Sequence, residues 1–350
     1  MRADHAGIER LVSDKNEELG FDWRSSWWKA AEQPDGTLEI VISRRELFEA
    51  VARTLEAGPA DGPVLELPGD RIRMRVCGKG ACCELWAVAS VVDLRREPEH
   101  SSELLTQELM GAGMRVLDAL GDWYFVMLDD GYHGWVRSWH VAVDAAGEAE
   151  RYRARTDVML SAGVDYILSE PDPESLPVSD VTAGTELVSL DKANGYVRVE
   201  LPGGRTGFIP GRSLEGSRDR SPSREGVVER ARRLIGIPYV WGGTSAKGFD
   251  CSGLVRRVFG MEGMSVPRDA DQQAAAARTI SEEPPDVPPG DLLFFGEDED
   301  HVTHVAISSG GGRFVHAYGE VRINSLDGAD PLFEEKLAEK YLRAATFFRF

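Results

Sequence analysis

Tyr-Val-Trp-Gly-Gly-Thr-Ser-Ala-Lys-Gly-Phe-Asp-Cys-Ser-Gly-Leu, residues 239–254, decides how this chain is read. It leaves Pro238 as a glycine-bearing loop and turns into an apolar helical spacing at Val255, Val258 and Phe259. The loop-to-helix transition is therefore predicted near Asp250 and Cys251. A thiol in the first turn of a helix feels the positive end of the macrodipole and unpaired N–H groups, both of which favour thiolate. Asp250 opposes this through like charge, so the site calls for a positive partner. Histidine is the obvious supplier.

Two histidines stand in HVAISSGGGRFVHA, where residues 304–308 and 313–317 read as strands around Ser-Gly-Gly-Gly. A hairpin folded about residue 310 sets His304 directly opposite His316, with Cβ atoms about 4.5 to 5.5 Å apart. One imidazole then accepts the thiol proton while the other orients it, which is the logic of a catalytic triad. The assignment rests on register, because a one-residue slip sends one histidine to the opposite face. His301, in the acidic loop EDEDH, is a weaker candidate base. Each element has an ordinary structural reading when taken singly, as a small buried thiol or as hydrogen-bonded strand histidines. Their conjunction points to a cysteine nucleophile.

Working outward, EGVVERARRLIG is predicted as a helix ended by Gly236 and Pro238. Before it, GSRDRSPSR has no apolar periodicity and reads as a linker over 215–225. Further upstream, GDWYFVMLDDGYHGWV and NGYVRVELPGGRTGFI superpose at a constant offset of 73, pairing Gly111 with Gly184, Trp123 with Tyr196, Gly131 with Gly204, Gly134 with Gly207 and Trp135 with Phe208. Each unit reads as short alternating strands joined by glycine turns, a small β-barrel pattern present twice, over 86–143 and 144–214. Residues 1–85 hold one amphipathic helix, SRRELFEAVARTLEAG, with Ser43 as its cap and Gly58 as its stop. No role is legible for the rest of that segment.

With 350 residues the chain is long enough for two or three domains. Its formal charge of -19 repels polyanions, so neither nucleic acid nor an anionic membrane surface is an expected partner. The first thirty residues carry charges throughout and no segment has the length of a membrane span, so a cytoplasmic location is expected. Cys77, Cys82 and Cys83 crowd together in CGKGACC, but no nearby histidine completes a zinc ligand set, and they are read as reduced thiols. No metal or other cofactor is expected.

The motif set of residues 226–350 resembles the NlpC/P60 superfamily, papain-like cysteine peptidases acting on peptidoglycan stem peptides. The two repeats resemble bacterial SH3 (SH3b) domains. The fold class expected is thus multidomain: two small SH3-like β-barrels followed by an α+β papain-like catalytic domain. The resemblance implies Cys251 as nucleophile, His304 as general base, His316 as its orienter and Tyr239 as a side chain near the oxyanion. It also implies that Gly290-Asp-Leu-Leu-Phe-Phe295 is the strand preceding the catalytic histidine.

Two SH3b-like units ahead of such a domain look like the γ-D-glutamyl-diamino-acid endopeptidases, which cleave murein peptides bearing a free N-terminal L-Ala and release L-Ala-D-Glu. By that resemblance Glu97 and Tyr132 project from loops of the first SH3b unit toward the substrate amine. Asp250, Ser252 and Asp269 help hold the D-Glu moiety. The chain departs from the wider pattern by carrying Asp269 and Ala270 where Ser or Thr is common. A soluble murein peptide is then the partner, and recycling the role. A Cys-His acyltransferase or amidase on the same fold, and a peptidoglycan-binding protein, are the alternatives. Diaminopimelate versus lysine and the oligomeric state stay open.

Overall fold

The computed structural model describes residues 5–24, 26–55, 64–67, 72–76, 83–144, 147–217, 221–280, 284 and 286–348. The chain divides into two compact units: residues 1–86 with 113–146, and residues 87–112 with 147–350. Among the described residues no helix is long and apolar enough to cross a membrane.

In the first unit, the strands Trp28–Glu32, Leu38–Ile42, Val64–Leu67 and Ile72–Val76 form a four-stranded sheet in which Leu38–Ile42 runs parallel to Ile72–Val76. The helices His5–Glu18 and Arg45–Thr54 belong to this layer. Their buried Ile8, Val12, Leu47, Phe48 and Val51 share one core with Ile40, Ile42 and Met74. Ser43 is not the cap of the second helix, whose N-cap is Arg44 with no side-chain bond. The Ser43 hydroxyl instead accepts from the Trp27 amide at 2.8 Å. Gly58, the expected stop, lies outside the described residues, as do Cys77 and Cys82. Cys83 is a free, exposed thiol. The same unit holds the antiparallel strands Gly113–Leu120, Trp123–Met127 and His133–Arg137.

The repeat seen in the sequence is a repeat of strands. Gly113–Leu120, Trp123–Met127 and His133–Arg137 recur as Glu186–Ala193, Tyr196–Glu200 and Thr206–Pro210 at the same offset. Even the register shift between Val116 and Asp118 recurs between Ser189 and Asp191. Gly121 adopts a left-handed φ of 57°, and its counterpart Asn194 takes 51°, a conformation asparagine tolerates better than most residues. The faces differ. Phe125, Met127 and Trp135 pack with Trp27 and Val41, so residues upstream cover that side of the first repeat. The equivalent Arg198, Glu200 and Phe208 are only half-buried, and Val197 and Val199 form the second repeat's core. The second repeat's strands form an open seven-stranded sheet, not a closed barrel.

The second unit carries the chemistry. Helix α1 (Arg224–Arg233) is capped by Ser223, whose hydroxyl accepts from the Gly226 amide at 3.0 Å. Helix α2 (Cys251–Met261) and the short α3 (Ala270–Ala276) follow. They lie with a six-stranded sheet of order β1-β6-β2-β3-β4-β5, where β1 is Arg278–Thr279, β2 Leu292–Gly296, β3 Val302–Gly310, β4 Arg313–Tyr318, β5 Glu320–Ser325 and β6 Tyr341–Thr346. The spacing of Val255, Val258 and Phe259 puts them on one buried face of α2, packed with Val305, Ile307, Val315 and Leu292. Strand β2 is apolar at every position because both its faces are covered, Phe294 in one core and Phe295 in the other. Arg230, 7% exposed, joins the end of the second repeat to α2 by pairing with Glu215 and, at 2.6 Å, with Glu262.

Candidate active site

Why the helix starts at Cys251 is a matter of backbone and side-chain partners. Asp250 is the N-cap, with extended φ/ψ, and its Oδ1 accepts from the Gly253 amide at 2.7 Å. Its Oδ2 accepts from the Gly242 amide at 3.0 Å, which draws the Trp-Gly-Gly loop over the helix end. Position 253 must be glycine: a Cβ there would sit 2.1 Å from the Gly243 carbonyl oxygen. Gly242 has φ +77°, and a Cβ on it would meet the Leu104 carbonyl at 2.2 Å. The glycines of residues 239–254 are thus consequences of close backbone approach.

Asp250 is neutralised by Arg268, a residue the sequence reading passed over in favour of its neighbour Asp269. Arg268 is 2% exposed; its Nη2 lies 2.5 Å from Asp250 Oδ2, its Nη1 donates to Ser252 Oγ at 2.9 Å, and its Nε donates to Thr106 Oγ1 at 2.9 Å. Gln273 donates to the Ser252 carbonyl at 3.0 Å. Asp250 and Ser252 therefore spend their polar atoms inside a dry network. Asp269 N-caps α3 in a capping box with Gln272. Only long-range ion pairing explains Arg268, and such pairing leaves no periodic trace in sequence.

Thr106 belongs to the hairpin Val91–Arg95 and Leu104–Leu109, within the compact unit of the nucleophile. Gln107 fastens that hairpin to the catalytic loop: its carbonyl accepts from Thr244 Oγ1 at 2.6 Å and its Oε1 accepts from Ser245 Oγ at 3.0 Å. Trp241 Nε1 donates to Glu103 at 2.9 Å, and Arg256 pairs with Glu108 at 2.9 Å. Glu97 stands in the exposed connection between these strands, its amide donating to Ser102 Oγ at 2.8 Å. Tyr132 is in the other compact unit, and it does not project as expected: it is buried, 6% exposed.

The two histidines meet, in a register different from the expected one. Strands β3 and β4 pair Ile307 with Val315 and Ser308 with Phe314, with an irregularity before Gly310 and Arg313. This register shifts the pairing by two residues, so His304 and His316 are diagonal neighbours on one face. The parity of the face survives a two-residue shift, and the contact survives with it. His304 Nε2 and His316 Nδ1 are 2.9 Å apart, and His316 Nε2 lies 3.0 Å from Asn324 Oδ1. The Asn324 amide nitrogen donates to the Leu332 carbonyl at 3.2 Å, which leaves Oδ1 as the acceptor toward His316. His316 is then protonated on Nε2 and accepts on Nδ1, so His304 donates from Nε2 and its Nδ1 is unprotonated.

Burial governs the charge state. Desolvation pushes the Cys251 thiol up to about 12, and Asp250 adds to this, outweighing main-chain bonds at Val305 and Ser252 and the charge of Arg268. Desolvation thus joins the opposition expected from Asp250, and the group rests as thiol. His304 is pushed down to about 3 by burial and then by His316; His316 falls to about 4, chiefly by burial. The pair rests neutral. Tyr239 is held well above its ordinary value, first by burial and then by Cys251 and Asp250, so its hydroxyl stays a donor. His301 is exposed, pairs with Asp298 at 2.8 Å and is raised by that bond. Tyr239, Cys251, His304 and Tyr318 all line a cavity of about 480 Å³, and His301 does not. Among the described residues no cluster of His, Cys, Asp or Glu could hold a metal ion.

A helix-borne thiol, a neutral imidazole on a strand of the adjoining sheet and a second polar pair that orients it are the parts of a cysteine peptidase. Residues 236–340 match the NlpC/P60 family, and residues 94–141 match the bacterial dipeptidyl-peptidase Sh3 domain. The chain is 30% identical over 275 residues to dipeptidyl-peptidase 6 of Lysinibacillus sphaericus, covering 75% of this chain and 98% of that one. It is 28% identical over 276 residues to the γ-D-glutamyl-L-lysine dipeptidyl-peptidase of Bacillus cereus, covering 73% and 81%. A crystal structure of an NlpC/P60 family protein from Bacillus cereus shares the fold, with a TM-score of 0.64 at 22% identity, over 76% of this chain and 100% of that one. The chain belongs to the NlpC/P60 family, and carries an SH3-like domain ahead of its peptidase domain.

Proposed function

We propose that this peptidase hydrolyses the bond between γ-D-Glu and a diamino acid in murein peptides with a free N-terminal L-Ala, releasing L-Ala-D-Glu. The observation that carries the chemistry is the neutral relay from His304 through His316 to Asn324, beside a cavity that Cys251 and His304 both line. As the Cys251 sulfur attacks the γ-carbonyl, its proton passes to His304 Nδ1, and the imidazolium is shared with His316. The oxyanion accepts from the Cys251 amide and the Tyr239 hydroxyl. His304 then protonates the leaving amine as the C–N bond breaks. Water gives a proton to the same imidazole and attacks the thioester, and the thiol regains that proton as the acid leaves.

Substrate choice is supported by relatives named γ-D-glutamyl-L-lysine dipeptidyl-peptidase and dipeptidyl-peptidase 6. It is also supported by Glu97, an exposed carboxylate on the hairpin fastened to the catalytic loop, which is suited to a substrate ammonium. In this reading Asp250, Ser252 and Asp269 shape the wall beside the D-Glu moiety, and 144–214 is a second SH3-like unit. A small peptide substrate fits murein-peptide recycling in the cytoplasm. Incubation with L-Ala-γ-D-Glu-diaminopimelate and its N-acetylated form, read by mass spectrometry, tests the proposal. Release of L-Ala-D-Glu from the free-amine peptide alone is expected. Equal cleavage of both would remove Glu97 from the account, and cleavage of neither would overturn the substrate.

A further inference from the structure

The cavity beside Cys251 carries charge that the reaction scheme leaves unused. One part of its lining comes from the site itself, Cys251, His304 and Tyr318, and the other comes from the segment after β5, as Glu334, Lys336 and Lys340. That segment is anchored by backbone bonds from Glu334 N to Ser325 O at 3.0 Å and from Gly296 N to Lys340 O at 2.9 Å. It includes the short helix Glu335–Ala338, from which half-buried Leu337 packs on the core of Phe295. Lys336 and Lys340 are exposed and Glu334 is half-buried. None of the three side chains makes an ion pair or hydrogen bond among the described residues. A further cation, Arg322, lies over the Tyr318 ring at 5.2 Å.

The position of this cavity says which part of a substrate it receives. His304 must deliver its proton to the departing amine, so the leaving group lies on the histidine side of the sulfur. Asp250, Ser252 and Arg268 are absent from the lining. At about 480 Å³ the cavity falls within the size range of small-ligand sites, roughly 300 to 1,000 Å³. Two of the four acids in the loop that begins beside Lys340 are occupied, Asp298 by His301 and Glu299 by Arg343.

We infer that Lys336, Lys340 and Glu334 form the leaving-group pocket and select a diamino acid with a carboxylate at the far end of its side chain, as in diaminopimelate, over lysine. This rests on the γ-D-glutamyl reading above. A diaminopimelate side chain ends in both an ammonium and a carboxylate, which Glu334 and the two lysines complement. A lysine side chain ends in an ammonium alone and would meet two like charges.

The test compares kcat/KM for L-Ala-γ-D-Glu-diaminopimelate, the same peptide with the distal carboxylate amidated, and L-Ala-γ-D-Glu-L-Lys. Two exposed charge pairs predict a preference of about tenfold for the free carboxylate over the other two peptides. Lys336→Glu combined with Lys340→Glu is expected to reverse that order while leaving the thermal melt unchanged. Equal rates on all three peptides, or a double variant that keeps the wild-type order, would overturn the pocket assignment and leave the peptidase reading standing. Cleavage of none of them would overturn the γ-D-glutamyl reading, and the pocket assignment with it.

Discussion

The two walls that flank Cys251 are both charged, and they use charge in opposite ways. On one side Asp250, Ser252, Arg268 and Thr106 are joined to each other, and every member but Thr106 also touches the first turn of α2 or its cap. On the other side Glu334, Lys336 and Lys340 border an open cavity with no ion-pair partners among the described residues. Charge that is buried has to be matched within the protein, so it holds the nucleophile's helix in place. Charge left in water at a cavity rim remains available to a ligand. On the proposed assignment, rigidity belongs to the first set of groups and selectivity to the second.

Replacing His304 breaks the chemistry without breaking either wall. His304→Ala is expected to lower kcat by about 10²- to 10⁴-fold, the usual contribution of a positioned acid–base group. Its denaturant midpoint should stay near wild type; a large fall in that midpoint would make the residue structural. Arg268→Met breaks the closed wall by leaving Asp250 buried and uncompensated. A loss of about 3 to 5 kcal/mol in chemical denaturation is expected. A loss below 1 kcal/mol would mean that water replaces the guanidinium, and the dry-wall description would fail.

Asn324→Ala sharpens the comparison at the relay itself. Without the Oδ1 acceptor the His316 tautomer is no longer held, so kcat should fall, by less than in His304→Ala, with KM unchanged. Full activity would show that His316 is oriented by other means.

A further effect is on stability in acid. His304 and His316 have folded values well below the ordinary 6.5, so the unfolded chain binds more protons between those values and 6.5. Their contribution is present above pH 6.5 and is lost as the pH falls from 6.5 toward about 4 and then 3. Melting temperatures measured from pH 7 to pH 4 should fall less in a His304→Gln, His316→Gln variant than in wild type. Equal slopes would place neither histidine neutral in the folded protein.

What was legible in the sequence follows from the range of the interactions. Cys251 at a helix start and two histidines of matching parity are local patterns, and each is where the pattern puts it. The turn register was not local: the hairpin turns at Gly311 and Gly312 instead of about residue 310, and with the one-residue irregularity between Ser308 and Gly310 the pairing ends two residues from the expected one, an even number, so the face was right for a register that was not. Arg268 and Gln107 act across long sequence separations, through partners that no spacing rule connects. How strongly burial favours the thiol was not legible, because helix position is visible in sequence and burial is not. That part of the N-terminal segment packs on the first repeat emerged only with Trp27 and Val41 seen against Phe125.

The most direct test of the catalytic assignment is rapid quenching of the enzyme during turnover of L-Ala-γ-D-Glu-diaminopimelate, followed by mass spectrometry of its proteolytic fragments. The account predicts an L-Ala-D-Glu acyl adduct on the fragment containing Cys251, and neither adduct nor product with Cys251→Ala. Release of L-Ala-D-Glu by Cys251→Ala at the wild-type rate would contradict it.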